Sequence, residues 1–225
     1  MSHTLDEYVR NDPRILELYL TVRGLYQRED LFHHNFEHVT RDLHRALLIA
    51  AEEPSVNYGV LIPAVLLHDI GFCGADHVRL GHDVAGALLA EEILKSLDYD
   101  QESIDAICHC VRAHKAKAEE PRTLEAKIAY DADVLEKAGL PYILLGGKLI
   151  SEFRETLESF LARETRDRTA EIERNFYTQK ARELDGGRLA RIGALLREMK
   201  EEMTSERPDF SVDESALWET EPPAD

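Results

Sequence analysis

Apolar residues recur at steps of three and four along almost the whole chain, the spacing of helices that bury one face. Leu5, Tyr8, Val9, Ile15, Leu16, Leu18, Tyr19, Val22 and Leu25 predict helix over about 5–30, with a break near Asp12-Pro13. Phe36, Val39, Leu43, Leu47 and Ala50 predict a helix over about 36–52, ended by Glu52-Glu53-Pro54-Ser55. Residues 58–69 are apolar nearly all round, as a central core helix is. Further helices are expected over about 82–96, with Val84, Leu88, Leu89 and Ile93 inward, over 101–115, with Ile104, Ile107 and Val111 inward, and over 124–138. The stretch from Gly71 to Gly81 breaks the pattern and holds Phe72, Cys73, Asp76, His77 and Arg79, which makes it a candidate active-site loop. Lys115 to Thr123 is a polar break. Gly139, Pro141, Gly146 and Gly147 predict a second interruption, with Gly146-Gly147 read as a turn. Two helical stretches, about 149–179 and 186–204, follow.

This pattern describes an all-α chain with one domain over 1–204: a motif-bearing core at about 30–145, a helical extension at about 149–204, and an acidic, Pro-containing tail over 205–225. Leu217 and Trp218 in the tail are candidates to dock on the body or a partner. The 44 acidic and 27 basic residues leave a formal charge of −17, which argues against a nucleic-acid polymer or an anionic membrane as partner. It leaves room for a phosphate substrate, because bound metals and a few cations reverse the field locally. The three cysteines, Cys73, Cys108 and Cys110, form neither a disulfide framework nor a CxxC pair. Cys108 and Cys110 lie two apart on a helix and do not face each other, so a structural role is expected for them. No run approaches transmembrane length and no basic segment precedes an apolar one, so a soluble cytoplasmic protein is expected. A homodimer is the default assembly.

The chemistry gathers at His68-Asp69, which follows the apolar run Ile62-Pro63-Ala64-Val65-Leu66-Leu67. A buried imidazole and carboxylate need a partner, and a divalent metal ion fits both. His38 upstream and Asp133 downstream complete a mixed nitrogen and oxygen set suited to Mn, Fe, Co, Ni or Zn. His82 and His114 are candidates to hold a second ion. Asp69 is also the candidate to accept a proton or orient a water.

These residues, in this order, resemble the HD-domain superfamily of metal-dependent phosphohydrolases. Phe36-Glu37-His38-Val39 is similar to the family's first-histidine segment, and Ala64 to Gly71 is close to its central motif. Glu125 to Leu135 resembles its last motif. The likeness implies an HD-like helical bundle with additional C-terminal helices, of the small stand-alone type. It selects Asp133 over Asp131 as the ligand and leaves Asp131 a supporting role. It implies His82 and His114 as the additional pair of two-metal members, and so as catalytic residues beside Asp69. His34, His77 and His109 are weaker candidates, with packing or solvent-facing roles favoured over ligation.

The resemblance implies hydrolysis of a small phosphorylated molecule, a nucleotide in particular, with one or two divalent ions (Mn, Fe, Co, Ni, Zn or Mg). Arg79, Arg112, Lys115, Lys117 and His77 are the candidate substrate contacts, with Arg112 leading and also a candidate catalytic residue. Arg122 is a further cation near the cleft in sequence. A non-enzymatic metal-supported regulator and an HD-like diiron oxygenase are the alternatives. Metal content, phosphate release and oxygen uptake separate the three.

Overall fold

A computed structural model describes residues 5–205; all of the expected tail except Ser205 lies outside them. The described residues form α-helices and one 3₁₀ turn, with no β-strand among them. The order begins α1 (Leu5–Asn11), α2 (Pro13–Tyr26), α3 (Phe36–Ala50) and α4 (Tyr58–Leu67). A 3₁₀ turn (Ile70–Cys73), α5 (His77–Leu80), α6 (His82–Ser96), α7 (Gln101–Ala113) and α8 (Leu124–Glu136) follow. The C-terminal part comprises α9 (Pro141–Phe153), α10 (Leu157–Arg174), α11 (Gln179–Asp185) and α12 (Arg188–Ser205).

Local chemistry sets the helix starts. Asp12, Asn35, Asn57, Asp100, Thr123, Thr156 and Thr178 each accept a hydrogen bond from a backbone N–H in the first turn of the helix that follows. The apolar helix α4 buries every residue from Val60 to Leu67. It packs against α2, α3, α7 and α8, which puts His68 and Asp69 in the middle of the bundle. A smaller core of Tyr142, Leu149, Phe160, Leu161, Ile192 and Leu196 joins α9, α10 and α12.

Three expectations are corrected. Leu88 is 53% exposed, because α6 turns Gly86, Ala87, Ala90, Ile93 and Leu94 inward instead. Small residues are needed on that face: a Cβ on Gly86 would lie 3.2 Å from the Gly71 nitrogen and 3.4 Å from Val111 Cγ1. The stretch 139–147 is not an extended interruption. Pro141 starts α9, where its fixed φ suits a first helical turn. Gly146-Gly147 lies inside α9, and a Cβ on Gly146 would meet Phe160 Cζ at 2.7 Å, so the glycine allows α9 and α10 to approach. The single helix expected over 149–179 is two: Arg154, at φ 50, ends α9 and Thr156 caps α10.

Candidate metal centre

His68 is the C-cap of α4, and its Nδ1 donates to the Val65 carbonyl at 2.8 Å. His114 is the C-cap of α7, and its Nδ1 donates to the Val111 carbonyl at 2.6 Å. Each bond leaves Nε2 as the free ring nitrogen and fixes where it points. Asn35 starts α3 by accepting from the His38 backbone N–H at 3.2 Å, so His38 occupies the first turn and faces inward. His82 opens α6 after Gly81, whose φ of 86° is a backbone state that side chains disfavour.

These placements converge on Asp69, which is fully buried. One carboxylate oxygen, Oδ2, lies 3.1 Å from His38 Nε2 and 3.2 Å from His68 Nε2. The other, Oδ1, lies 3.2 Å from His114 Nε2 and 3.6 Å from His82 Nε2. Asp133 arrives from α8 with Oδ1 3.9 Å from His38 Nε2. Its Oδ2 accepts from Lys137 at 2.7 Å and Lys115 at 3.1 Å. Two groups of donor atoms result: His38, Asp42, His68 and Asp133, and Asp69, His82 and His114. All six sequence-predicted metal candidates therefore lie together.

Asp42 was not anticipated. It is buried on α3 with Oδ2 3.4 Å from His38 Nε2 and 3.6 Å from His68 Nε2, while Oδ1 accepts from Arg45 at 2.7 Å. Its spacing of four from His38 puts both on one helix face, the signal that could have found it.

The site's chemistry fits a divalent ion. Asp42 Oδ2, Asp69 Oδ1, Asp133 Oδ1, His82 Nε2 and His114 Nε2 are buried without hydrogen-bond partners, and such atoms are rare unless something binds them. Burial pushes the Asp69 carboxyl up, but His68 and Lys115 outweigh it and hold the group well below the usual carboxylate range. Burial pushes His38 down, yet Asp42, Asp69 and Glu136 overcome this and raise it to about 10, so these carboxylates favour positive charge at this spot. Burial lowers His82 and His114, which favours the neutral imidazole a metal needs. Glu136 stands 3.7 Å behind His38 Nδ1 and is itself held by Arg41 Nε at 2.8 Å and by Arg45.

A cavity of about 700 Å³ opens over the centre, and His82, Lys115 and Lys137 belong to both. Phe72 stacks between His34 and His82, with ring centroids 4.2 and 4.5 Å away. His34 bonds Glu152, whose carboxylate also accepts the His33 backbone N–H at 2.6 Å. His33 lines the cavity too, and burial, with His34 and His38 nearby, lowers it to about 2.

Of the expected substrate contacts, His77, Lys115 and Lys117 line the cavity. Arg112 and Arg79 do not. Arg112 Nε is engaged by Glu119 at 2.9 Å, and the exposed Arg79 pairs with Asp76 at 3.0 Å, one helical turn back. The lead assigned to Arg112 rested on its nearness to His114 in sequence, but on α7 the two residues diverge. Arg122 is likewise taken by Glu119, which also binds His109 at 2.9 Å. Asp131 accepts three hydrogen bonds, from the backbone of Tyr177 and Thr178 and the Thr178 hydroxyl, at 2.7–2.9 Å. It fastens the start of α11 to α8 and does not reach the metal cluster. Three arginines from α10, Arg163, Arg168 and Arg174, complete the cavity's cations and went unforeseen, because nothing local in that helix links it to the motif.

A sequence profile of the HD domain matches residues 35–138. A solved structure described as a predicted HD superfamily hydrolase, from an uncultured Thermotogales bacterium, aligns with a TM-score of 0.61 at 23% identity, covering 89% of this chain and 99% of its own. An HD-superfamily hydrolase of Bacillus thuringiensis aligns at 0.58 and 17% identity, covering 86% and 98%. YpgQ of Bacillus subtilis, solved in complex with ADP, aligns at 0.56 and 20% identity, covering 82% and 97%. At such identities the likeness is one of fold. No curated protein matches this chain.

Proposed function

We propose, from the premise that this chain belongs to the HD-domain superfamily of metal-dependent phosphohydrolases, that it hydrolyses a small phosphorylated substrate, a nucleotide in particular. The observation that carries the reading is Asp69: its two oxygens face two different histidine pairs beside a cavity lined by lysines and arginines. A carboxylate divided in this way suits two neighbouring divalent ions, which His38, Asp42, His68 and Asp133 would hold on one side and His82 and His114 on the other. A bound divalent ion lowers the pKa of a water and polarises a phosphoryl oxygen.

The chain's own residues do the rest. Lys115 and Lys137 place ammonium groups at the junction of centre and cavity, where a phosphoryl oxygen would be met. Across the cavity lining, Lys115, Lys117, Lys137, Arg163, Arg168 and Arg174 face Asp83, Glu155, Glu164, Asp167 and Glu171. The six cations outnumber the five acids by one, whereas acids outnumber bases over the chain as a whole. The volume suits a small molecule and not a polymer, and the ADP bound by the Bacillus subtilis relative adds weight to a nucleotide.

The test is a metal-replete screen with Mn, Co, Ni, Fe and Mg against nucleotides, phosphoesters, RNA and single-stranded DNA, with chromatographic product analysis. A small phosphate should be cleaved fastest, with activity lost in Asp69→Ala. Inactivity with verified metal occupancy, or a preference for polymer, overturns the proposal. Oxygen uptake in the iron-loaded protein would favour the diiron alternative.

A further inference from the structure

The wall that α10 gives the cavity carries a polar site outside the candidate metal centre. It lies on α10, beyond the matched HD domain. Arg168 is only 3% exposed yet lines the cavity. Its guanidinium lies 5.4 Å from the centre of the Tyr142 ring. Glu171 Oε2 comes within 2.6 Å of Arg168 Nη1 and Glu164 Oε2 within 3.6 Å of Nη2. Neither contact is aligned as a hydrogen bond. Arg168 Nε and Nη1 and Glu171 Oε2 stay buried without hydrogen-bond partners. Glu164, in contrast, is satisfied by Tyr142 and Arg163. The wall therefore holds one guanidinium nitrogen, Nε, with no partner, beside an ion pair of Nη1 and Glu171 Oε2 that is held by charge and leaves hydrogen-bonding capacity on both.

The position of this pair is set by the metal centre. Lys137 Nζ lies 2.7 Å from Asp133 Oδ2 and 3.4 Å from Glu171 Oε1, so one ammonium group separates a candidate ligand from the pair. A group binding there is the neighbour of the phosphate bound at the centre. A second phosphate fits poorly, because the guanidinium is already neutralised by Glu164 and Glu171 and these carboxylates would repel it. A neutral group that both donates and accepts fits well. Vicinal hydroxyls do both: one donates to Glu171 Oε2 while the other accepts from Arg168.

We infer that Arg168 and Glu171 form a hydroxyl-recognising subsite, selecting substrates whose phosphate is attached to a sugar with free vicinal hydroxyls. This rests on the phosphohydrolase reading of the cavity, which supplies the anchoring phosphate. A site built to bond a hydroxyl rejects an analogue lacking it, because the buried protein groups are then left unpaired.

The experiment compares AMP, whose one phosphate is attached directly to the ribose, with its 2′,3′-dideoxy analogue on the Mn-loaded full-length chain, in the native protein and in Arg168→Met and Glu171→Gln. Glu171→Gln keeps the shape of the side chain, so it remains informative if Arg168→Met folds poorly. Where turnover is detected, the ratio of kcat/KM between the two nucleotides is read; where none is, the ratio of Kd from calorimetry is read instead. The subsite therefore stands or falls separately from the hydrolytic activity. The expected result is a preference for the ribonucleotide of about tenfold or more that falls toward one in a folded variant. Equal handling of the two nucleotides by the native protein overturns the inference, as does no binding of either. A variant that weakens both nucleotides equally also overturns it, since that is the mark of a merely structural ion pair.

Discussion

Replacing Gly71 with Ala should damage the protein and, with it, the proposed second ion position at His82 and His114. The 3₁₀ turn carrying Gly71 packs on the start of α6, and a Cβ there would sit 2.1 Å from the His82 carbonyl oxygen, 2.8 Å from the Gly86 nitrogen and 2.9 Å from the His82 carbonyl carbon. All three are backbone atoms, so no rotamer change relieves the clash, and α6 must move away from the turn. Overpacking a core costs roughly 1–3 kcal/mol when side chains can adjust, and a rigid backbone neighbour puts this change at about 3 kcal/mol or more. For a chain of this size that is a fall in Tm of roughly 6–12 °C. His82 rides on the displaced end of α6, so metal analysis of the folded fraction should show fewer ions per chain than the native protein. Gly147→Ala is the control. Nothing lies within 4 Å of its added methyl, and it sits in the interior of α9. Alanine there should stabilise by about 0.5–1 kcal/mol through helix propensity, raising Tm by a few degrees. If scanning calorimetry finds Gly71→Ala melting within about 2 °C of the native protein, with unchanged metal content, the close crossing of turn and helix is wrong.

Three further outcomes follow from the same geometry. Asp131→Ala should cost about 3 kcal/mol, roughly 1 for each of its three hydrogen bonds, with metal content intact, whereas Asp42→Ala should lower bound metal; elemental analysis and denaturant melts that show the reverse would exchange their roles. Chelation should lower Tm and added Mn at 100 times its Kd restore it, by about 2.7 kcal/mol of linkage; a chelator-insensitive melt with verified metal removal would count against resident ions. Burial raises Cys108 to about 11 and Cys73 and Cys110 to about 12, so all three thiols are neutral at pH 8 and alkylation should be slow until the pH nears those values or the chain is unfolded; rapid native labelling at pH 8, read by mass spectrometry, would contradict this.

Periodicity made most of the helices legible, and helix chemistry explains where it failed. On α3 and α7 the inward face carries large apolar residues, so the spacing of Val39 and Leu43, or of Ile104, Ile107 and Val111, reads directly. On α6 the inward face is small, because the backbone of the 3₁₀ turn lies against it, and large Leu88 was taken for core when Gly86 and Ala87 are the contacts. Gly146 misled in the same way, since a glycine that admits Phe160 looks in sequence like a turn. Of the candidate metal donors beside helix ends, His68 and Asp69 stood out because polar groups follow an apolar run, while His114 was marked by the family resemblance. Asp42 did not, being one more acid in a helix with exposed acids and bases around it. Arg112 shows the opposite error: closeness in sequence put it near His114, while Glu119 claims its guanidinium.

The wall that α9 and α10 give the cavity was least legible, and this follows from how the chain divides its work. The matched HD domain stops at residue 138, just after Asp133 and Lys137 are placed. Tyr142, Phe153, Arg163, Arg168, Glu171 and Arg174 come from α9 and α10, which share the second core with α12 and meet the matched domain through contacts distant in sequence, such as Glu152 with His34 and Lys137 with Glu171. No short-range spacing ties Arg168 to Asp133. Their relation runs through Lys137 and Glu171, a connection made only when α10 folds back over α8. Residues in 35–138 can therefore keep the metal chemistry while changes in 141–174 alter what the cavity admits. Substitutions at Arg168 or Glu171 should accordingly move substrate preference more than metal content, and substitutions at His68 or Asp69 should do the reverse. A chain in which both kinds of change moved both quantities together would have a single cooperative site, and the separation argued from these ion pairs would fail.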